Sequence, residues 1–160
     1  MDELMIAEGS LTPLSSKTHI SYQFHLSEPC PFLVVDFTYS PKVLDDKEAS
    51  RPLILEAIAS FASPSAIELQ KEKWEQFLPL QNLLTVSIDD PAGFRGSAHR
   101  HSPDQRHILS SDEASPGFLA GPVQSGIWKI TISVHCIVTP TCMYRLSVKK
   151  GRDDHELGAL

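Results

Sequence analysis

The feature that most constrains the fold is a long alternation of apolar and polar residues in the final part of the chain. Every second residue is apolar from 128 to 138, and the same alternation runs from 142 to 148. Because successive side chains of a β-strand point to opposite faces of the sheet, both segments are predicted to be strands with one buried face. The turn-forming residues 139–141 lie between them and predict a hairpin. The apolar positions predicted to face the core are Trp128, Ile130, Ile132, Val134, Cys136, Val138, Cys142, Tyr144, Leu146 and Val148.

Further strand signals precede this region. Residues 19–26 and 84–88 also alternate with period two, and residues 32–39 are rich in β-branched and aromatic side chains. Short extended pieces are predicted near 94–99 and 105–110. Parallel sheets need a helix between most strands, and the sequence does not indicate such helices. We therefore predict an all-β fold, an antiparallel β-sandwich of about seven to nine strands with a jelly-roll-like arrangement.

The region 45–81 does not keep the period of a strand. One short inserted helix is predicted at residues 65–77, because apolar residues recur there at helical spacing and Pro79 follows. Residues 53–61 could form a strand or a helix. We favour a strand, because Pro52 restricts the conformation of the residue before it.

The length of 160 residues suits one domain. We divide it into an N-terminal arm at 1–17, the sandwich domain at 18–150 and a flexible tail at 151–160. The first residues are acidic where a secretory signal would be basic, and no stretch of about 20 apolar residues occurs. Neither a signal peptide nor a membrane span is predicted.

Charge and cysteine usage limit the partners and the compartment. Fourteen basic residues against 20 acidic ones give a net charge of −6, which repels phosphate backbones and anionic lipids, so we expect no nucleic acid and no membrane partner. Cys30, Cys136 and Cys142 lack the spacing of a zinc site, and they suit a reducing cytoplasm as small buried side chains. A bond between Cys136 and Cys142 across the predicted hairpin is the alternative. No cofactor is predicted.

Three histidines, His99, His101 and His107, lie in one loop-rich stretch. Two histidines two residues apart on an extended chain point to the same face, as metal ligands often do. However, nearby arginines repel a cation, and the segment has no cysteine or glutamate to complete a coordination shell. We interpret these histidines as solvated loop residues and keep metal binding as the alternative.

Asp89, Asp90 and Arg95 form a second candidate group. Paired carboxylates can divide acid and base roles when their surroundings separate their pKa values. The structural interpretation, which we favour, is that Asp90 caps the turn before Pro91 and that Asp89 pairs with a nearby arginine. In that interpretation the Arg95 guanidinium binds these carboxylates or loop carbonyls, whereas in the functional one it faces solvent or a partner.

Three motifs carry a resemblance to a known family. DDPAGFRGS at 89–97, ASPGFLAGP at 114–122 and SGIWKI at 125–130 resemble, in this order, motifs of the β-sandwich domain that precedes the catalytic domain in PHP-type metallohydrolases of the CehA/McbA family. The resemblance extends over about residues 20–148, and the predicted helix at 65–77 looks like an insertion relative to that domain.

The resemblance implies an accessory role. In such enzymes the metal ligands lie in the PHP domain after the sandwich, beginning with a His-x-His motif, and no such motif follows Val148 here. The pair His99 and His101 precedes the 114–122 motif and is not equivalent. We therefore expect a non-catalytic accessory or interaction module, whose partner is a PHP-domain protein or a second copy. The alternatives are a metal-binding part of a metal-dependent hydrolase, and a carbohydrate- or small-ligand-binding sandwich whose stacking residues are Tyr22, Trp74 or Trp128.

Overall fold

Two four-stranded antiparallel sheets form the body of the protein. The structure, a computed structural model, describes residues 1–160. The strands are β1 (Asp2–Leu11), β2 (Thr18–Leu26), β3 (Phe32–Ser40), β4 (Val43–Leu44), β5 (Leu80–Gln81), β6 (Leu83–Asp90), β7 (Gly93–Ala98), β8 (Asp104–Ser110), β9 (Gly126–Cys136) and β10 (Cys142–Lys150).

The order of the strands defines a jelly roll. One sheet has the order β1-β10-β3-β8 and the other β2-β9-β6-β7. Apart from the β6–β7 hairpin, each connection between successive sandwich strands carries the chain from one sheet to the other, as in double-sheet jelly rolls. The predicted antiparallel β-sandwich, with a jelly-roll-like arrangement, is confirmed.

A core of 23 buried residues fills the space between the sheets. The alternating positions of β2, β3, β6, β9 and β10 point into it as predicted, and Trp128 on β9 is fully buried. Cys136 and Val138 are only partly buried, because the strand ends at Cys136 and Ile137 turns inward instead. Removing these apolar faces from water supplies most of the stabilisation of such a fold.

The predicted hairpin at the end of the chain is wrong. β9 pairs with β2 and β6, whereas β10 pairs with β1 and β3 in the facing sheet. Residues 139–141 therefore carry the chain across the sandwich. Alternation predicts which side of each strand is buried, and both strands bury that side in one core. It does not distinguish a hairpin from a crossover between sheets. Cys136 and Cys142 are free thiols.

The helical region also differs from the prediction. Residues 53–61 belong to helix α1 (Lys47–Phe61). Asp46 caps its N-terminus, where the Asp46 carboxylate accepts a hydrogen bond from the Ala49 amide at 3.0 Å. Pro52 lies inside this helix and does not mark a boundary. The single helix predicted at 65–77 is instead α2 (Ile67–Glu72) followed by a 3-10 turn at Trp74–Phe77.

Both ends of the chain are also structured. Residues 2–11, assigned to an N-terminal arm, form the edge strand β1 and pair with β10 along its length, with a bulge between Glu3 and Met5 that interrupts the alternation. In the predicted tail, one helical turn, α3 (Asp154–Leu157), follows β10, and Glu156 binds the N-terminal ammonium at 2.6 Å. None of the helices is long and apolar enough to cross a membrane.

The helical region is an insertion between β3 and β6. The two-residue strands β4 and β5 pair to form its stem, and its small core consists of Ile54, Ile58 and Trp74. The insertion lies at the end of the sandwich where β6 begins, opposite to the end where Asp90 closes β6.

Asn82 joins the stem of the insertion to the sandwich. Its side chain is fully buried and donates to the Pro41 carbonyl at 2.9 Å and to the Thr139 hydroxyl at 2.7 Å. Its amide oxygen accepts from the Val138 and Thr139 backbone N–H groups at 2.7 and 3.4 Å. One side chain therefore links the end of β3, the start of β6 and the crossover between the sheets.

Replacing Asn82 with alanine should lower the unfolding free energy by about 3 kcal/mol, because several buried polar groups lose their partners. The control Gln81→Ala, at the exposed neighbouring position, should change it by less than about 0.5 kcal/mol. Urea unfolding followed by tryptophan fluorescence measures both values. Equal effects of the two substitutions would contradict the role assigned to Asn82.

Candidate functional site

Arg95 is the centre of a buried hydrogen-bond network at the end of the sandwich far from the insertion. Its guanidinium donates to Asp90 Oδ2 at 3.0 Å, and also to the carbonyls of Leu119 at 2.9 Å, Gly121 at 2.9 Å and Pro122 at 3.1 Å. It also lies 5.6 Å from the centre of the Trp128 ring. The side chain is 7% exposed. These contacts are the ones that the structural interpretation predicted, in which Arg95 binds a carboxylate and loop carbonyls.

The two candidate carboxylates of this region, Asp89 and Asp90, have separate roles. Asp90 Oδ1 accepts from the amides of Ala92 and Gly93 at 2.7 and 2.8 Å, so Asp90 caps the β6–β7 turn as predicted. The Asp89 carboxylate lies 3.8 Å from the ammonium of Lys129, not beside an arginine. Asp90 is thus committed to the turn and to Arg95, and Asp89 pairs with a different residue.

Two glycines bring the 114–122 loop against β7. Gly96 and Gly117 both have positive φ, at 126° and 93°. A Cβ atom on Gly96 would collide with the Gly117 carbonyl oxygen, and one on Gly117 would collide with the Ser97 carbonyl oxygen. The Ser97 amide donates to the Gly117 carbonyl at 3.0 Å. The first two motifs of the resemblance therefore form one hydrogen-bonded unit with Arg95 at its centre.

The three candidate histidines do not form a cluster. His99 and His101 are exposed in the loop between β7 and β8, whereas His107 on β8 is fully buried. His107 packs against Phe118, with ring centres 4.9 Å apart. Nowhere in the chain do three His, Cys, Asp or Glu side chains come together in a way that could hold a metal ion.

The protonation state of His107 follows from its neighbours. Gln105 donates its amide hydrogens to the carbonyls of Arg100 and Ser102, so its oxygen is free to accept from His107 Nε2 at 2.9 Å. His107 Nδ1 has no partner. Burial, and secondarily the charge of Arg100, lowers the pKa of His107 to about 4, since a second N–H at Nδ1 would be unsatisfied.

The aromatic side chains considered for sugar stacking lie inside the protein. Trp128 is in the sandwich core and Trp74 in the core of the insertion. Tyr22 packs against the sandwich core, and its hydroxyl bonds that of Tyr144 at 2.5 Å. These three residues do not form an exposed stacking surface.

An apolar groove lies between α1 and the adjacent end of the sandwich. Its volume is about 1020 Å³. Thirteen of its 18 lining residues are hydrophobic, which is typical of a binding site. The wall formed by α1 presents Ala49, Leu53, Ala57 and Phe61, four residues apart and therefore on neighbouring turns of one helix face. Pro13, Ile137, Val138 and Pro140 line the sandwich side.

The groove remains open to solvent. Leu53 is 40% exposed and Phe61 is 82% exposed, whereas Ile54 and Ile58, which also line the groove, are buried and pack against Trp74. Sequence analysis missed this site because residues 53–61 were interpreted as a strand. The four-residue spacing of Ala49, Leu53, Ala57 and Phe61 was the signal that could have revealed it.

Comparisons with known proteins do not assign a family. No protein-family model matches the chain, and no curated protein matches it. A crystal structure of a protein from Sulfurospirillum deleyianum matches with a TM-score of 0.31 and 6% sequence identity, over 92% of this chain and 99% of that one. A likeness at this level assigns neither a family nor a function.

Replacing Arg95 with lysine should lower the unfolding free energy by about 1.5–3 kcal/mol, since a lysine cannot reproduce the planar set of donors. The melting temperature should fall by several degrees. The control Arg106→Lys alters an exposed pair with Asp36 and should cost less than about 1 kcal/mol. Calorimetry measures both variants. A melting temperature for Arg95→Lys within about a degree of the wild type would contradict the structural interpretation.

His107 should make stability depend on pH. Its pKa is about 4 when folded against an ordinary value of 6.5, so the unfolded chain binds the proton first as the pH falls. The stabilisation present above pH 6.5 is therefore lost progressively towards pH 4, by about 3 kcal/mol in total. Urea unfolding from pH 7 to pH 4 measures this loss. His107→Gln should reduce it, and an identical pH profile for the variant would contradict the assignment.

Proposed function

We propose that the protein is a non-catalytic interaction module that binds an apolar surface of a partner protein in the groove beside α1. The observation that carries the proposal is an open apolar stripe on α1 facing an equally apolar wall of the sandwich. Exposed apolar surface of this kind is costly in water and marks interaction sites. The candidate residues Asp90 and Arg95 lie at the other end and hold the fold.

The resemblance to the sandwich domain of PHP-type metallohydrolases supports the accessory character of this module. Its first two motifs form the Arg95 unit, in which the polar groups bind one another and none is aimed at a ligand. A PHP-type domain is therefore one class of partner for the module, and a second copy of the chain is another. In both cases the groove is the surface that we assign to binding.

Binding of the neutral dye Nile red tests the groove without assuming a partner. The wild-type protein should bind the dye at one saturable site with increased fluorescence. Leu53→Ser and Phe61→Ser should each weaken binding by about fivefold, because each removes about 1 kcal/mol of apolar contact.

Leu69→Ser is the matched control. Leu69 is 55% exposed on α2 and lies outside the groove, so its replacement should leave dye binding unchanged. Fluorescence titration gives the dissociation constants, and circular dichroism establishes that all variants are folded. Absence of saturable binding, or equal effects of all three substitutions, would contradict the proposal.

A further inference from the structure

The charge in the lining of the groove is acidic. Asp46 is its only charged lining residue, and no lysine or arginine lines it. The cations at the start of α1 contact Trp74 and do not line the groove. Lys47 pairs with Glu75 at 3.1 Å, and both Lys47 and Arg51 lie within 6 Å of the Trp74 ring centre. Lys47 thus has an acidic partner outside the groove lining.

An acidic edge runs beside the apolar stripe. Glu56 follows Leu53 by three residues and precedes Ala57, so at 100° per residue it lies about 60° from Leu53 around the helix. It is exposed and forms no ion pair. Asp45, next to the helix start, is likewise exposed without an ion pair. Together with Asp46, these carboxylates form what we call the acidic edge of the groove.

The backbone of the sandwich wall is already hydrogen-bonded. The Ile137 amide donates to the Ser16 hydroxyl at 2.9 Å, and the Val138 amide donates to Asn82 at 2.7 Å. An added strand would need free backbone groups along this wall. A helix satisfies its own backbone and needs only apolar contacts. The stripe from Ala49 to Phe61 extends over about 18 Å, or more than three helical turns.

We propose that the groove binds an amphipathic helix that carries lysine or arginine along one edge of its apolar face. The inference rests on the proposed function and names the chemistry of the partner. The apolar face of the helix packs on the Leu53 and Phe61 stripe, and its basic edge lies along Asp45, Asp46 and Glu56. A second copy of the chain fits less well. Its α1 brings another acidic edge and no cation on the groove side.

Three labelled 18-residue peptides provide the probes. The first combines leucine at helical spacing with flanking lysines. The second replaces every lysine with glutamate, and the third has the composition of the first with leucine and lysine alternating. Fluorescence anisotropy near physiological salt should show that the first peptide binds at least about tenfold more tightly than either of the others, because only it offers both an apolar helix face and basic charge.

Charge variants separate the acidic edge from the overall negative charge. Glu56→Lys should weaken binding of the first peptide by about fivefold, since one attractive surface charge becomes repulsive. Glu72→Lys makes the same charge change on α2, at an exposed position outside the groove without an ion pair, and should change binding by less than about twofold. Equal effects of the two variants would overturn the inference.

The remaining outcomes are also decisive. The inference would be overturned if the lysine and glutamate peptides bound equally, or if the alternating peptide bound more tightly. It would also be overturned if sedimentation showed concentration-dependent dimers that Phe61→Ser abolishes. Nile red binding distinguishes failure of this inference from failure of the proposed function. If the dye binds and the peptides do not discriminate, the inference fails while the proposed function stands. If neither binds, both fail.

Discussion

The groove depends on the hydrogen bonds of a single buried amide. A neutral side chain with two donors and one acceptor oxygen satisfies polar groups from two other chain segments that meet at one end of the sandwich. Asn82 does this without burying a charge, so it avoids the desolvation cost that an ion pair would carry at the same place. The insertion is attached through a stem of only two residue pairs, and this amide holds the base of that stem against the crossover, whose Val138 lines the groove.

The two ends of the sandwich have opposite characters. At one end, Arg95 satisfies its donors with carbonyls and a carboxylate, and glycines at positive φ allow the loop to approach β7. Such a saturated network makes the end rigid and leaves little capacity to bind anything else. At the other end, an apolar helix face is left uncovered. The rigid hydrogen-bonded end and the end with an open binding surface therefore lie at opposite ends of the strands.

Sequence analysis predicted the strands and their buried faces because period-two alternation follows directly from burial on one side of a sheet. Their partners could not be predicted in the same way. The turn at 139–141 is equally compatible with a hairpin and a crossover, since both place Trp128 and Leu146 in one core. Pro52 was misleading because α1 forms across it, although a proline inside a helix cannot donate a backbone hydrogen bond. The apolar spacing along α1 was visible in the sequence, but the opposite wall of the groove at residues 137 and 138 is distant in sequence and could not be placed beside it.

The pairing of the first and last strands has a consequence for chain connectivity. Asp2 lies opposite Lys150 in the sheet, Arg152 forms an ion pair with Asp2, and the N-terminal ammonium binds Glu156. The two ends therefore meet on one side of the first sheet, and a short linker could close the backbone into a ring. Opening that ring in the exposed loop at 99–102 would give a circular permutant in which both sheets keep every strand and all their pairings.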